Sequence, residues 1–394
     1  MAGIREPLHP VPGFRFLGRN IGIKDHTPDF AVAVADRPCA AAGVFTRNNF
    51  PGAPVIVGRE HLAAGRLQAV VVNSKNANAA TGPEGVENAR RVCRALGQAL
   101  GIGERLILPS STGVIGVALP VETLERACRE APGQLAAGVD PLRRFAQAIM
   151  TTDTRPKAVS VKAGKATLTA VAKGAGMIEP NMATMLAYFF TDAELDPVVL
   201  KALLTGAVER SFNRISVDSD TSTSDTAVVL ANGHAGKVAP EDFGAALKEA
   251  AVYLAREIAR DGEGATKLIE LTVAEAPSQP AALAFAKSIV NSPLVKTALY
   301  GADPNWGRFV MAIGKVFAYP VPLAGLRITF GAGAGALTIT AGDQPAETLR
   351  RISEYLRYPE VHIRIALGAG AASETVWGCD LTEGYVKENA YYTS

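Results

Sequence analysis

The chain has 394 residues, enough for one large or two ordinary domains with a sizeable core. Hydrophobic residues make up 48% and charged residues 20%, the balance of a globular protein that is neither disordered nor membrane-embedded. With 40 basic and 38 acidic side chains the formal net charge is +2, which argues against a nucleic-acid or acidic-membrane partner.

MAGIREPLHPVPGFRF carries no apolar signal core, and no unbroken apolar run is long enough to span a bilayer, so a cytoplasmic protein is expected. The consecutive valines of AVVVNS (69–74) predict a buried strand. It leads into the small polar loop KNANAATG and a helix with Pro83 near its start and Gly101 just past its end. RLILPSSTGVIG (105–116) reads as a strand followed by a Ser/Thr/Gly turn. DPLRRFAQAIMTTDT (140–154) reads as a helix ending in hydroxyls. In DPVVLKALLTGAVERSF (196–212), Asp196 is an N-cap and Pro197 the first helical residue. The longest helical pattern spans 241–264, with Phe243, Leu247, Ala250, Leu254 and Ile258 in register. APSQPAALAFAKS (276–288) reads as a surface connection. Strand signals follow at KLIELTVAEA, GLRITF, ALTITAG and VHIRIAL, with a helix at 345–357. Mixed strands and helices in both halves imply an α/β or α+β fold with layered sheets.

Several motifs are excluded on chemistry. FGAGAGALTIT (330–340) fits a dinucleotide fingerprint, yet alternating Leu337-Thr338-Ile339-Thr340 predicts a strand where the pyrophosphate needs a helix N-terminus. A nucleotide-binding oxidoreductase is therefore disfavoured. The run SVDSDTSTSDT (216–226) has Thr223 and Val229 where a calcium loop needs glycine and glutamate, so it reads as a hydrogen-bonding turn. The four cysteines (Cys39, Cys93, Cys128, Cys379) form no metal or disulfide pattern, and no metal or bound cofactor is expected. Five scattered histidines sit beside no nucleophile elbow.

Hydroxyl chemistry without histidine requires another base. A threonine at the start of a chain has one, its own α-amine. In KGAGMIEPNMATMLAYFF, Thr184 follows a small residue, Ala183, and a Gly- and Pro-containing approach, and precedes a buried strand. Attack of its hydroxyl on the preceding carbonyl, then hydrolysis of the ester, would free that amine. Periodicity alone ranks Thr184 as an ordinary strand-entry residue.

KGAGMIEPNMATML resembles the self-cleavage segment of the bacterial ornithine acetyltransferase (glutamate N-acetyltransferase) family. NSKNANAATG, PSSTGVIG, AIMTTDT, VDSDTSTSDT, RDGEGATK, LVKTALYGADPNWGR and WGCDLTEGYVKENAYYTS resemble further family segments in the same order, covering nearly the whole chain. The resemblance implies cleavage between Ala183 and Thr184 into an α chain (1–183) and a β chain (184–394), intertwined in an α2β2 assembly of stacked sheets flanked by helices. It implies Thr184 as nucleophile, and Thr112 and Gly113 as the oxyanion hole. Substrate contacts carry over to Thr151, Lys173, Thr184, Glu263, Asn389 and Ser394. Thr152 could replace Thr151, and Glu388 stands where the family has an apolar residue. The implied reaction moves the acetyl group of N-acetylornithine to glutamate and releases ornithine, in arginine biosynthesis. Acetyl-CoA as a second donor stays open, and a related self-cleaving aminopeptidase or amidase is the alternative.

Overall fold

A computed structural model describes residues 3–179 and 185–391. Ala183, Thr184 and Ser394 lie outside the described residues. The chain forms two compact units. One comprises the chain up to Asn213 together with Asp220–Ile258. The other comprises Arg214–Ser219 and the chain from Ala259 on.

The first unit is built on a mixed sheet in the order Ile4–Arg5, Lys157–Ala163, Ala166–Lys173, Leu186–Glu194, Thr226–Lys237, Phe30–Phe45, Arg66–Asn76, Ile107–Val114. Phe14–Arg19 also pairs with Phe30–Phe45. That long strand is shared: its first half pairs with Arg66–Asn76, its second with Thr226–Lys237, and the register breaks between Val34 and Cys39. The sheet doubles over there. Phe16 meets Phe190 at a ring separation of 5.1 Å although their strands are not neighbours, and Phe145 of helix Val139–Ala148 meets Tyr188 at 5.6 Å. Phe189 points the other way, toward Phe212 at 6.4 Å. Both faces of Leu186–Glu194 are thus covered, which is why LAYFF has no polar alternation.

Helices Gly82–Leu100 and Val121–Glu130 cover the Arg66–Asn76 side through Val92, Cys93, Leu96 and Leu124. Gly101 ends the first of them with φ +70°, a left-handed stop open to glycine. The Asp196 carboxylate accepts the Val198 N–H at 2.8 Å, the expected N-cap of helix Pro197–Glu209. The helix after the 138 turn starts at Val139, so Asp140 lies in its first turn and does not cap it.

The second unit has a mixed sheet in the order Leu337–Thr340, Arg327–Phe330, Glu360–Ala366, Leu268–Ala276, Ala372–Cys379, Ile215–Ser216. The Gly-rich stretch 331–336 joins two antiparallel strands, Arg327–Phe330 and Leu337–Thr340. No dinucleotide-binding helix follows it. One expectation is corrected. The segment 276–288 is not a surface connection: Ser278 caps helix Gln279–Val290, whose Ala282, Phe285, Ala286 and Ile289 are fully buried. Their i, i+3, i+4, i+7 spacing is helical, and the two prolines that suggested a loop precede or open the helix.

Layered mixed sheets flanked by helices are therefore the observed α/β class. Among the described residues no helix is long and apolar enough to cross a membrane. No group of three or more His, Cys, Asp or Glu side chains there is disposed to hold a metal ion. All four cysteines are buried free thiols. Burial pushes Cys39 and Cys128 up to about 12.

Candidate active site

The loop after Arg66–Asn76 is a hydrogen-bonded scaffold. Asn73 donates to the Asn76 carbonyl at 2.8 Å and accepts from the Ser111 hydroxyl at 2.6 Å. Asn76 donates to the carbonyls of Val117 and Ala118 and accepts the Asn78 N–H. Lys75, Asn78 and Ala80 hold positive φ, a conformation L-residues adopt at a cost. The asparagines offset that cost locally, and they hold the loop against strand Ile107–Val114.

Opposite Lys75 stands Gly113, with φ +132°. A Cβ at this position would lie 2.2 Å from the Lys75 carbonyl carbon, so only glycine allows the two backbones to approach. Thr112, beside it, is 8% exposed.

Lys173 ends strand Ala166–Lys173, on the other layer of the doubled sheet, and its Nζ donates to Thr112 Oγ1 at 3.3 Å. An ammonium has only donors, so the Thr112 oxygen is the acceptor and its own proton is available to a third group. Lys24 adds charge nearby. Burial lowers its pKa to about 8, Asp29 opposes that shift, and Lys173 and Lys75 reinforce it. Three lysines thus face one region around the Thr112–Gly113 turn.

Asp153 ties this region together. Its fully buried carboxylate accepts from Lys157 Nζ at 2.8 Å, from the Gly174 N–H at 2.6 Å and from the Thr151 N–H at 3.0 Å. Burial alone would raise its pKa, but Lys157, Lys173 and the Gly174 N–H outweigh it and hold the carboxyl well below the usual range. Sequence reasoning passed over Asp153. The available signal was the pairing of Asp153 with Lys157 four residues on, in a segment otherwise rich in hydroxyls.

The sequence candidates fall into two sets. In the first unit, Thr112, Gly113 and Lys173 come together, and Thr151 joins them through Asp153; among the described residues no bond singles out the Thr151 side chain over Thr152. In the second unit, Asn389 Nδ2 donates to Glu263 Oε2 at 2.7 Å and to the Tyr385 carbonyl at 3.0 Å. Gly264 permits that approach, since a Cβ there would sit 2.3 Å from the Tyr385 nitrogen. The Glu263 loop is further held by Thr382, which donates to the Gly264 carbonyl at 2.6 Å.

A threonine hydroxyl that accepts from a lysine, beside a glycine turn, is an arrangement of the kind that can stabilise negative charge developing on an acyl group. Residues 15–394 match the ArgJ family, and the chain belongs to that family. It is 47% identical over 382 residues to arginine biosynthesis bifunctional protein ArgJ 2 of Clostridium acetobutylicum, covering 97% of each chain. It is 48% identical over 372 residues to glutamate N-acetyltransferase Oat2 of Streptomyces clavuligerus, covering 94% of each. A solved ornithine acetyltransferase of Mycobacterium tuberculosis, complexed with ornithine, is 35% identical, with TM-score 0.40, over 44% of this chain and 94% of that one.

Proposed function

We propose that this chain is a glutamate N-acetyltransferase of arginine biosynthesis, carrying the acetyl group from N-acetylornithine to glutamate through an ester on Thr184. The observation that carries this reading is end-to-end identity near one half to relatives bearing that name and the ArgJ name. Cleavage between Ala183 and Thr184 gives an α chain of residues 1–183 and a β chain of 184–394, assembled as α2β2 in the cytoplasm.

The Thr184 hydroxyl, deprotonated by its own α-amine, attacks the acetyl carbonyl. The oxyanion accepts hydrogen bonds from the Thr112 hydroxyl and the Gly113 N–H. The orientation that Lys173 imposes on Thr112 supports this assignment. The intermediate collapses, the amine proton passes to the leaving ornithine, and glutamate reverses the sequence. Thr151, Lys173, Glu263, Asn389 and Ser394 hold the amino-acid groups of the substrates: Lys173 suits a carboxylate and Glu263 an amine. No metal or bound cofactor enters the scheme.

The test mixes N-acetylornithine with labelled glutamate. Labelled N-acetylglutamate should form with wild-type protein and should be undetectable with Thr184→Ala. Acetate without N-acetylglutamate would make the enzyme a hydrolase of the aminopeptidase or amidase type. Acetyl-CoA supplied without acetylornithine tests a second donor.

A further inference from the structure

Asp380 is a buried carboxylate that the acetyl-transfer scheme does not use. It is 2% exposed and follows directly on strand Ala372–Cys379. Cys379 pairs with Leu268 of the antiparallel neighbour, so Asp380 stands across from the loop that feeds that neighbour, residues 262–267. Both of its oxygens are spent on that loop. Oδ1 accepts the Thr266 N–H at 2.9 Å and the Lys267 N–H at 3.0 Å, and Oδ2 accepts from the Thr266 hydroxyl. Hydrogen bonds to an ionised carboxylate are about twice as strong as those between neutral groups.

The loop is closed from its other sides as well. Ala265 donates its N–H to the Gly262 carbonyl at 2.8 Å, which makes a tight turn with Glu263 and Gly264 at its centre. Gly262 lies against Cys379, since a Cβ there would fall 2.7 Å from the Cys379 Sγ. Lys296, itself 5% exposed, donates to the Cys379 carbonyl and fixes the strand end from behind. All of these groups belong to the second unit. Half-buried Glu263 takes its position from a frame whose charged member is Asp380.

We infer that Asp380 is the positioning residue of Glu263 and, through it, sets binding of the acetyl donor. This rests on the acetyltransferase reading above, in which Glu263 holds an amine. N-acetylornithine has one free amine, the ammonium at the end of its side chain, because its α-nitrogen carries the acetyl group. Glutamate also has one amine, and that one must attack the ester. A carboxylate that holds a non-reacting ammonium therefore serves the donor, and it repels the side-chain carboxylate of the acceptor.

Ping-pong kinetics separate the two half-reactions: kcat/KM for N-acetylornithine reports the first and kcat/KM for glutamate the second. Their ratio is insensitive to a misfolded fraction, which lowers both alike. Asp380→Asn should lower kcat/KM for N-acetylornithine by about 10-fold or more and that for glutamate by less than about twofold. Thr266→Val keeps the carboxylate and both N–H bonds, and should shift the ratio the same way by about threefold. N-acetylnorleucine, which has a methyl in place of the side-chain ammonium, should be a poor donor for wild type and no poorer for Asp380→Asn. An unchanged ratio overturns the inference, as does an equal further loss with N-acetylnorleucine. Insolubility of both variants also overturns it and assigns Asp380 to the fold. Wild-type protein that forms no N-acetylglutamate from either donor overturns the acetyltransferase reading, and the role of Asp380 with it.

Discussion

Asp153 and Lys157 form a buried ion pair with both side chains inaccessible to solvent. Removing one partner leaves the other charge uncompensated, which costs about 3–5 kcal/mol in comparable pairs. The carboxylate's depressed pKa links it to pH. Its contribution to stability is complete above the unfolded value of about 3.9 and is lost as pH falls through the folded one. Wild-type protein should therefore lose melting temperature steeply below about pH 4. Asp153→Asn should start lower at neutral pH and show a shallower acid limb; equal acid slopes for the two proteins would refute the linkage. Because Asp153 also holds the Thr151 and Gly174 N–H groups, the same variant should raise KM for the amino-acid substrates, whereas Lys157→Arg, which keeps a cation beside the intact Asp153, should raise it less.

At the scale of elements, the site depends on where strands end. The Arg66–Asn76 and Ile107–Val114 strands run parallel, and their ends are irregular where Lys75 faces Gly113. Gly113→Ala forces a backbone shift, because its added carbon would fall 2.2 Å from the Lys75 backbone. Acetyl transfer should drop by about 100-fold or more, as for loss of one oxyanion donor, with a lowered melting temperature. A kcat within a few-fold of wild type would remove Gly113 from the site. Much at this scale was legible. AVVVNS, LAYFF and the Asp196 cap declared themselves through burial pattern and capping chemistry. Helix Gln279–Val290 did not, because Pro280 and the alanine-rich run mimic a linker until Ser278 is seen accepting the Ala281 N–H.

For the whole molecule, the proposed cut and assembly make a definite expectation. Native mass spectrometry should find two copies each of residues 1–183 and 184–394 in one particle, and denaturation should separate them. A single uncut chain, or a dimer of one fragment, would contradict it. The two compact units divide the chain at Asn213–Asp220 and Ile258–Ala259, not at the proposed cut, so both units draw residues from the chain following Thr184. Separation of the cut chains without denaturant would be surprising on that ground. Leu186–Glu194, the start of the proposed β chain, hydrogen-bonds along Ala166–Lys173 of the α chain.

Local chemistry in the sequence was enough to determine the layered α/β class, most element boundaries and the strand that follows the Gly-rich stretch 331–336, because periodicity, caps and turns act between residues close in the chain. It also made a histidine-free threonine chemistry intelligible at Thr184, and the family resemblance singled out Thr112, Gly113 and Lys173. Only the tertiary structure joined Lys173 to Thr112, with the Thr112 oxygen as acceptor, and showed Asp153 as the hub beneath them. Those facts arise where a doubled sheet brings strands distant in sequence within hydrogen-bonding range, and no pattern along the chain encodes that distance.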